Sequence, residues 1–321
     1  MLRPSREIGS AAVARSAHAP AGSGMRRSWR RYLAMGVGAL AVLVLLAGIA
    51  HAQTTVLDNT QDAYRTTTRA WLGPISLIAR RLFVWLAIIE VTISAAIWTL
   101  RRDALDEMAG RFLLKFILLS FVLMLITSAG YWMPVIVNSF SRAGQAAGIA
   151  PVPAGPSEIV DIGTTIAFFN IDTRGLGLSP ADFLTAAFAL ISRLVVIGSF
   201  LFVAAQVVLA WVESYVALAG GVLFLGFGAF RGTAQYAENY LNYLVFLGVR
   251  LFLLYLLLGI GIAILQNSLA SLPPAMLPKQ MAEIMAISVI FAVLVLRIPN
   301  SAANRVAGGA NLGIVHALRS L

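Results

Sequence analysis

The sequence predicts an all-α protein, a polytopic membrane helical bundle with about five spans and a re-entrant glycine-rich hairpin. Of the 321 residues, 59% are hydrophobic and only 12% are charged, whereas about a quarter of a soluble globular domain is charged. Several apolar runs reach the roughly 18–20 residues that a bilayer requires. The sequence contains no cysteine, which excludes a disulfide framework and a thiolate nucleophile.

Residues 1–52 have the pattern of a targeting signal. A basic segment, Arg26 to Arg31, precedes an apolar run that ends near Ile49. Ala50-His51-Ala52 then matches a small-x-small cleavage site, so we predict a signal peptide, with an uncleaved anchor as the alternative. Seven of the 24 Lys and Arg lie here, so the high net charge does not indicate nucleic-acid binding. The predicted divisions are the extension and signal peptide (1–52), the transmembrane domain (53–300) and a cytoplasmic tail (301–321).

The positive-inside rule orients the first two spans. Residues 53–79 are moderately polar, and Pro74 is expected to break any helix in this stretch. A basic cluster follows the first span and marks a cytoplasmic loop, which leaves the mature amino end outside the cytoplasm. The cluster consists of Arg101, Arg102, Arg111 and Lys115. The five predicted spans are Leu82–Leu100, Phe116–Val137, Phe183–Trp211, Tyr240–Leu265 and Met281–Leu296.

The longest predicted non-membrane stretch is residues 138–182. It contains Pro151, Pro153 and Pro156, which do not favour a continuous helix. It is also sparse in Lys and Arg, and this composition suits the outer face of the membrane. We therefore expect an outer loop here.

The glycine-rich stretch from Gly220 to Val245 decides the predicted topology. Glycine costs helix stability relative to alanine, so this density of glycine favours close helix packing or a re-entrant backbone. As a full span, Tyr215–Phe230 would place the carboxyl-terminal arginines outside, whereas a re-entrant hairpin would place them inside. We predict the hairpin, with Arg231 near the cytoplasmic rim. The residues expected to pack closely or line a route are Gly220, Gly221, Gly226, Gly228, Arg231 and Gly232; Gly228 and Gly232 also have small-xxx-small spacing.

Four ionisable side chains lie within or beside the predicted spans: Glu90, Arg193, Glu213 and Arg250. A charge at the centre of a membrane helix costs about 2.5–3.5 kcal/mol on insertion scales, so such residues usually face a cavity or a partner. Glu90 and Arg250 therefore either line a hydrophilic path, or fix helix register through an intramembrane salt bridge or by pairing with backbone carbonyls. Arg193 and Glu213 lie nearer the span ends, where we expect them to reach the interface by snorkelling.

Catalytic constellations are missing from the sequence. No Walker A lysine motif occurs, His316 is the only histidine after residue 52, and no span carries paired carboxylates. We therefore predict no catalytic, cofactor-binding or metal-binding residue, and we expect that the protein is not an enzyme.

Three stretches occur in an order that resembles the TrbL family of conjugative transfer proteins. The first combines Ala70-Trp71, Leu82-Phe83 and Leu86-Ala87, and the second is Gly155–Val160 followed by Gly163. The third, residues 220–243, is the most specific. The family consists of polytopic inner-membrane components of type IV secretion systems.

This resemblance implies a role in mating pair formation. It implies a channel or scaffold that helps pass a DNA–protein substrate from cytoplasmic ATPases to the outer machinery. The implied partners are other secretion subunits including those ATPases, further copies of this chain, membrane lipid and, transiently, the transferred substrate. The alternative is an autonomous permease for a small solute or ion, with Arg193 and Arg250 facing an anionic substrate.

Overall fold

The computed structural model describes residues 23–101, 105–148, 152–153, 155–169, 180–271 and 278–308. Contacts divide the chain into two compact units, Met1–Ala47 and Gly48–Leu321. The first unit is helical from residue 23 onward, and residues 1–22 of the predicted extension lie outside the described residues. Cleavage of the signal peptide therefore stays a prediction.

Seven α-helices and one short 3-10 helix account for nearly all of the described residues, among which no strand occurs. The predicted all-α class is confirmed. The elements are α1 (Ser23–Arg101), α2 (Leu105–Thr127), α3 (Ala129–Ala147), α4 (Pro156–Ala167), α5 (Pro180–Gly226), the 3-10 helix Phe227–Ala229, α6 (Ala234–Ala270) and α7 (Pro278–Gly308).

Among the residues that the structure describes, five helical segments are long and apolar enough to cross a membrane, which confirms the predicted polytopic bundle. They are Val56–Leu100, Met108–Thr127, Leu184–Ala229, Ala234–Ala270 and Lys279–Val306. Each overlaps one predicted span in chain order. Three of them have 37 residues or more, whereas about 20 residues cross the hydrocarbon core, so these helices extend well beyond the predicted spans.

The centre of the bundle is an antiparallel helical hairpin formed by α5 and α6. Near its closed end, Gly221 of α5 packs against the ring of Tyr240 on α6. Further along, Trp211 Nε1 donates a hydrogen bond to Tyr255 Oη at 2.8 Å. Both residues of this second pair are buried, so apolar packing and a satisfied indole proton together hold the register of the two helices.

The remaining short helices and α7 pack around this hairpin. On α3, a Cβ added to Gly144 would lie 3.0 Å from Tyr255 Cβ, which shows how closely α3 approaches α6. On α4, Gly163 approaches Phe200 of α5 more closely still. Phe291 of α7 places its ring centroid 5.9 Å from that of Phe200, so α4, α5 and α7 share one apolar cluster.

The glycine-rich segment corrects the predicted re-entrant hairpin. Residues 215–226 do not fold back on themselves; they form the last part of α5, which continues unbroken to Gly226. The chain reverses only at 227–233, through the 3-10 helix and a turn, before α6 begins at Ala234. The glycines are compatible with a helix here because close packing against neighbouring helices offsets their low helix propensity.

Helix breaks also differ from expectation. Pro74 lies inside α1 without ending it, since membrane helices tolerate the lost hydrogen bond. The predicted span Phe116–Val137 is instead divided at Ser128, between α2 and α3. Ser128 Oγ donates a hydrogen bond to the Met124 carbonyl at 2.6 Å, and such back-bonding often bends helices. Pro134 in α3 removes a further backbone donor.

The stretch 138–182, which was predicted as an outer loop, is partly helical. The end of α3 and all of α4 lie within it, and residues 149–151, 154 and 170–179 fall outside the described residues. Asp58 Oδ1 of α1 accepts a hydrogen bond from the Ser157 amide at 3.4 Å, which joins the start of α4 to α1. The location of this stretch on the outer face stays a prediction.

Candidate functional site

Glu90 is a completely buried carboxylate at the meeting point of three elements. Lys115 of α2 places its Nζ 2.6 Å from Glu90 Oε1. The turn after α5 contributes Arg231, whose main-chain N–H donates to Glu90 Oε2 at 3.2 Å and whose Nε lies 3.6 Å from Oε1. One carboxylate on α1 therefore joins α2 and the closed end of the α5–α6 hairpin.

Two further side chains of α1 complete the surroundings of Lys115. Ser94 donates a hydrogen bond to the Glu90 carbonyl at 2.7 Å and accepts one from Lys115 Nζ. The same ammonium lies 5.7 Å from the ring centroid of Trp98, within the range of a cation–π interaction. Since residues four apart share one helix face, α1 presents Glu90, Ser94 and Trp98 as a continuous stripe. We call Glu90, Ser94, Trp98, Lys115 and Arg231 the Glu90 cluster.

Because the Glu90 cluster is buried, we expect the loss of one of its charged side chains to destabilise the fold strongly. Lys115 is 2% exposed, so its charge depends on Glu90 and Ser94 for the interactions that water would otherwise supply. A buried ion pair gains little over an apolar pair, but removing one partner leaves the other charge uncompensated. The cluster can therefore hold three elements in register, and it carries no arrangement that would activate a nucleophile.

Three glycines allow neighbouring helices to approach the closed end of the hairpin. A Cβ on Gly226 would lie 2.8 Å from the Ala79 carbonyl oxygen of α1. One on Gly228 would lie 3.2 Å from Val122 of α2, and one on Gly221 would overlap the Tyr240 ring. These distances identify the glycines as packing residues.

The other two predicted glycines behave differently. A Cβ on Gly220 would meet nothing within 4 Å, so no neighbouring helix packs closely against this position. The three atoms nearest to a Cβ on Gly232 all belong to the ring of Phe230, two residues before it. Gly228 lies in the 3-10 helix and Gly232 in the following turn, so their spacing does not form the predicted small-residue face of one helix.

Arg250 pairs with Glu213 and not with Glu90, so of the alternatives for these two residues the structure does not form a salt bridge between them. Arg250 Nη1 contacts Glu213 Oε2, and Tyr243 Oη donates to Glu213 Oε1 at 2.9 Å. The antiparallel register of α5 and α6 places residue 213 opposite residue 250, whereas Glu90 lies at the far end of the hairpin. Glu213 therefore does not simply snorkel, although its side chain remains 32% exposed.

Arg193 lies apart from both charged sites. It is partly buried and lines a small pocket of about 30 Å³ between α4, α5 and α7, together with Phe169 and Met281.

Among the predicted residues, Glu90, Gly226, Gly228 and Arg231 all lie at or contact the closed end of the hairpin. Among the described residues, no group of three or more His, Cys, Asp or Glu could hold a metal ion.

Comparison with known proteins identifies the family. The family model of the TrbL/VirB6 plasmid conjugal transfer protein matches residues 87–298. The chain belongs to this family. The Glu90 cluster, Arg193, Arg250 and all of the predicted glycines lie inside the matched range. The match confirms the family that the sequence resembles; the stretches 155–163 and 220–243 lie within it, whereas the first stretch precedes it except for Ala87.

Two curated relatives support the same assignment. The chain is 29% identical over 269 residues to the conjugal transfer protein TrbL of Rhizobium radiobacter, with 83% of this chain and 67% of the relative covered. It is 27% identical over 291 residues to the probable conjugal transfer protein TrbL of Sinorhizobium fredii, with 87% and 73% covered. Membership in the TrbL/VirB6 family indicates a multi-pass membrane protein with a role in conjugative transfer, as part of a complex with other subunits.

Sequence reasoning missed three members of the Glu90 cluster in this TrbL family chain. Lys115 was expected in a cytoplasmic loop because it follows other basic residues, yet it lies in α2 and is buried. Ser94 and Trp98 follow Glu90 at intervals of four residues, a spacing that predicts one helix face. That spacing was the available signal, although it did not reveal Lys115 as the partner.

Proposed function

We propose that the chain is an inner-membrane channel or scaffold component of a type IV secretion system, which supports conjugative transfer of a DNA–protein substrate. The observation that carries this proposal is the family match over residues 87–298, which includes most of the apolar bundle. Its partners are then the other secretion subunits, including secretion ATPases, further copies of this chain and, transiently, the transferred substrate. The role requires positioning within a membrane complex and no catalytic chemistry.

The anchoring of the hairpin supports a scaffold role. The closed end at 227–233 is held by Glu90 and Lys115, and Gly226 and Gly228 admit α1 and α2 to close packing. A segment fixed in this way can present a constant surface to neighbouring subunits. Large apolar side chains on α1 and α2 remain exposed, among them Trp85 (69%), Leu113 (59%) and Phe116 (59%). In a membrane complex, lipid or another subunit covers such surfaces.

The proposed orientation places the amino end of the mature chain in the periplasm and residues 301–321 in the cytoplasm. The positive-inside rule supports it through Arg101 at the end of α1, Arg102 after it and Arg111 in the second turn of α2. Reporter fusions at Gln235 and Asn311 test it. A periplasmic signal at Asn311 would reverse the proposed position of the tail.

Mating assays test the proposed function directly. Donor cells that lack the gene should lose plasmid transfer by several orders of magnitude, and the wild-type gene supplied in trans should restore it. Dye exclusion and growth serve as controls for membrane integrity, which should not change. Undiminished transfer from the deletion strain would contradict the proposal.

The alternative function, an autonomous permease, has a separate test. Arg193 and Arg250 were its expected substrate contacts, but Arg250 is paired with Glu213. The purified chain in sealed vesicles should show no solute or ion flux above that of empty vesicles if it acts only within the secretion complex. Saturable flux through the isolated chain would favour the permease.

A further inference from the structure

A cavity between α1, α3, α5 and α6 carries two arginines that no carboxylate neutralises. Its volume is about 220 Å³, several times what one ordered water requires. Arg65 and Arg69 of α1 line it, and none of the described residues on its wall is Asp or Glu. Neither arginine forms an ion pair within the part of the chain that the structure describes.

The polar wall of this cavity can both donate and accept hydrogen bonds. Arg65 and Arg69 are one helical turn apart on the same face of α1, so two guanidinium groups border one space. Gln61 lies one turn earlier on that face. Its Nε2 donates to Tyr215 Oη at 3.4 Å, whereas its Oε1 is buried without a partner among the described residues. The cavity thus combines two cations with one unfilled acceptor.

Apolar side chains also line the cavity. Leu72 of α1, Val137 of α3 and Leu218 of α5 lie there with Pro134, beside the polar side chains of Asn138 and Gln145. Since the helices around the cavity belong to a membrane bundle, a molecule that enters from the bilayer meets both guanidinium groups and apolar side chains. Basic pockets between membrane helices bind the head groups of anionic lipids in this way.

We propose that this cavity binds the head group of an anionic phospholipid of the phosphatidylglycerol type. Arg65 and Arg69 hold the phosphodiester through charge-assisted hydrogen bonds. A hydroxyl of the head-group glycerol donates to Gln61 Oε1, and the first methylenes of the lipid contact Leu72 and Leu218. The alternative is that both arginines, which are exposed, extend into water and bind nothing specific.

A matched pair of double variants separates these readings. Arg65→Gln/Arg69→Gln removes two charges from the cavity. Arg80→Gln/Arg81→Gln removes two charges from exposed positions of the same helix that do not line the cavity. The full chain is purified in detergent and titrated with short-chain phosphatidylglycerol, phosphatidylcholine or inorganic phosphate. Retained lipid is counted by native mass spectrometry, and the apparent affinity is taken from the shift in Tm.

We expect a loss of about tenfold or more in the affinity for phosphatidylglycerol in Arg65→Gln/Arg69→Gln, with near wild-type affinity in the control pair. Phosphatidylcholine should bind much more weakly, because its quaternary ammonium cancels the charge and offers no hydroxyl donor. Equal affinity in the two double variants would overturn the proposal, and a response to inorganic phosphate without one to the lipid would overturn the lipid occupant.

A second variant keeps the proposal testable if the glutamine pair does not fold. Arg65→Lys/Arg69→Lys retains both charges but loses the planar, bidentate geometry of the guanidinium group. Its affinity for phosphatidylglycerol should fall severalfold and remain detectable. Unchanged affinity together with an unchanged count of retained lipid would contradict phosphodiester recognition by these arginines.

Discussion

Two carboxylate sites along the α5–α6 hairpin differ in burial and in the elements that they connect. At the closed end, Glu90 is completely buried and connects α1 to Lys115 on α2 and to Arg231 in the turn. Midway along the hairpin, Glu213 pairs with Arg250 and Tyr243, all three on α5 and α6, and its side chain is 32% exposed. The first site joins elements distant in sequence, whereas the second lies within one hairpin.

This difference indicates different roles for similar pairs of residues. A buried carboxylate and ammonium depend on each other, since neither can be solvated when its partner is removed. A partly exposed pair retains access to water or lipid head groups and contributes less. We therefore expect the Glu90 cluster to determine how α1 and α2 assemble on the hairpin, and the Glu213 pair to adjust the hairpin register.

The largest expected effect comes from Glu90→Ala. It leaves the buried ammonium of Lys115 and the Arg231 amide without their acceptor, so the free energy of unfolding should fall by about 3–5 kcal/mol. Unfolding of the purified protein in mixed detergent, followed by circular dichroism, measures it.

Charge exchange provides the control for the Glu90 cluster. Glu90→Lys/Lys115→Glu should recover part of the lost stability, whereas exchanging Glu90 with Arg250 should not, because these two residues have different partners. Wild-type stability of Glu90→Ala would remove the proposed distinction between the two sites.

A smaller effect is expected where the hairpin is packed through glycine. Gly221→Ala places a methyl group into the ring of Tyr240, so we expect a loss of about 1–3 kcal/mol from overpacking. Gly220→Ala is the matched control, since a Cβ there meets nothing within 4 Å and alanine favours the helix by about 0.5–1 kcal/mol. Opposite changes in melting temperature are expected, and equal destabilisation of both variants would refute close packing at Gly221.

The Glu213 pair should show a more modest loss. Glu213→Gln keeps the side-chain size and removes the charge that faces Arg250, so we expect a decrease of about 1–2 kcal/mol. The exchange Glu213→Arg/Arg250→Glu should restore most of this stability. A loss as large as that of Glu90→Ala would show that exposure does not separate the two sites.

The smallest effect is predicted for the hydroxyl of Tyr243. Tyr243→Phe removes one hydrogen bond to the partly exposed Glu213, which should cost about 0.5–1 kcal/mol. Tyr236→Phe, an exposed tyrosine on the same helix, is the control and should leave the melting temperature unchanged. Indistinguishable values for the two variants would assign Tyr243 to ring packing alone.

The extent of each helix was only partly predictable. The run Leu82–Leu100 was predicted correctly as a membrane span. The helical segment that contains it, Val56–Leu100, has 45 residues and includes Pro74. The glycines near residue 220 predicted an interrupted backbone, because helix propensity is a local quantity. Packing of Gly226 against Ala79 offsets that local cost, and the sequence of α5 does not reveal it.

By itself, the sequence determined the all-α membrane class, the number of apolar helices and the TrbL family, because these follow from composition, run length and motif order. Only the tertiary structure decided which charges pair. Glu90 and Arg250 were the most central opposite charges along the chain, yet the hairpin register assigns Arg250 to Glu213 and leaves Glu90 to Lys115 and Arg231. A salt bridge requires its charged atoms to lie within about 4 Å of each other, so pairing depends on helix positions that no single segment encodes.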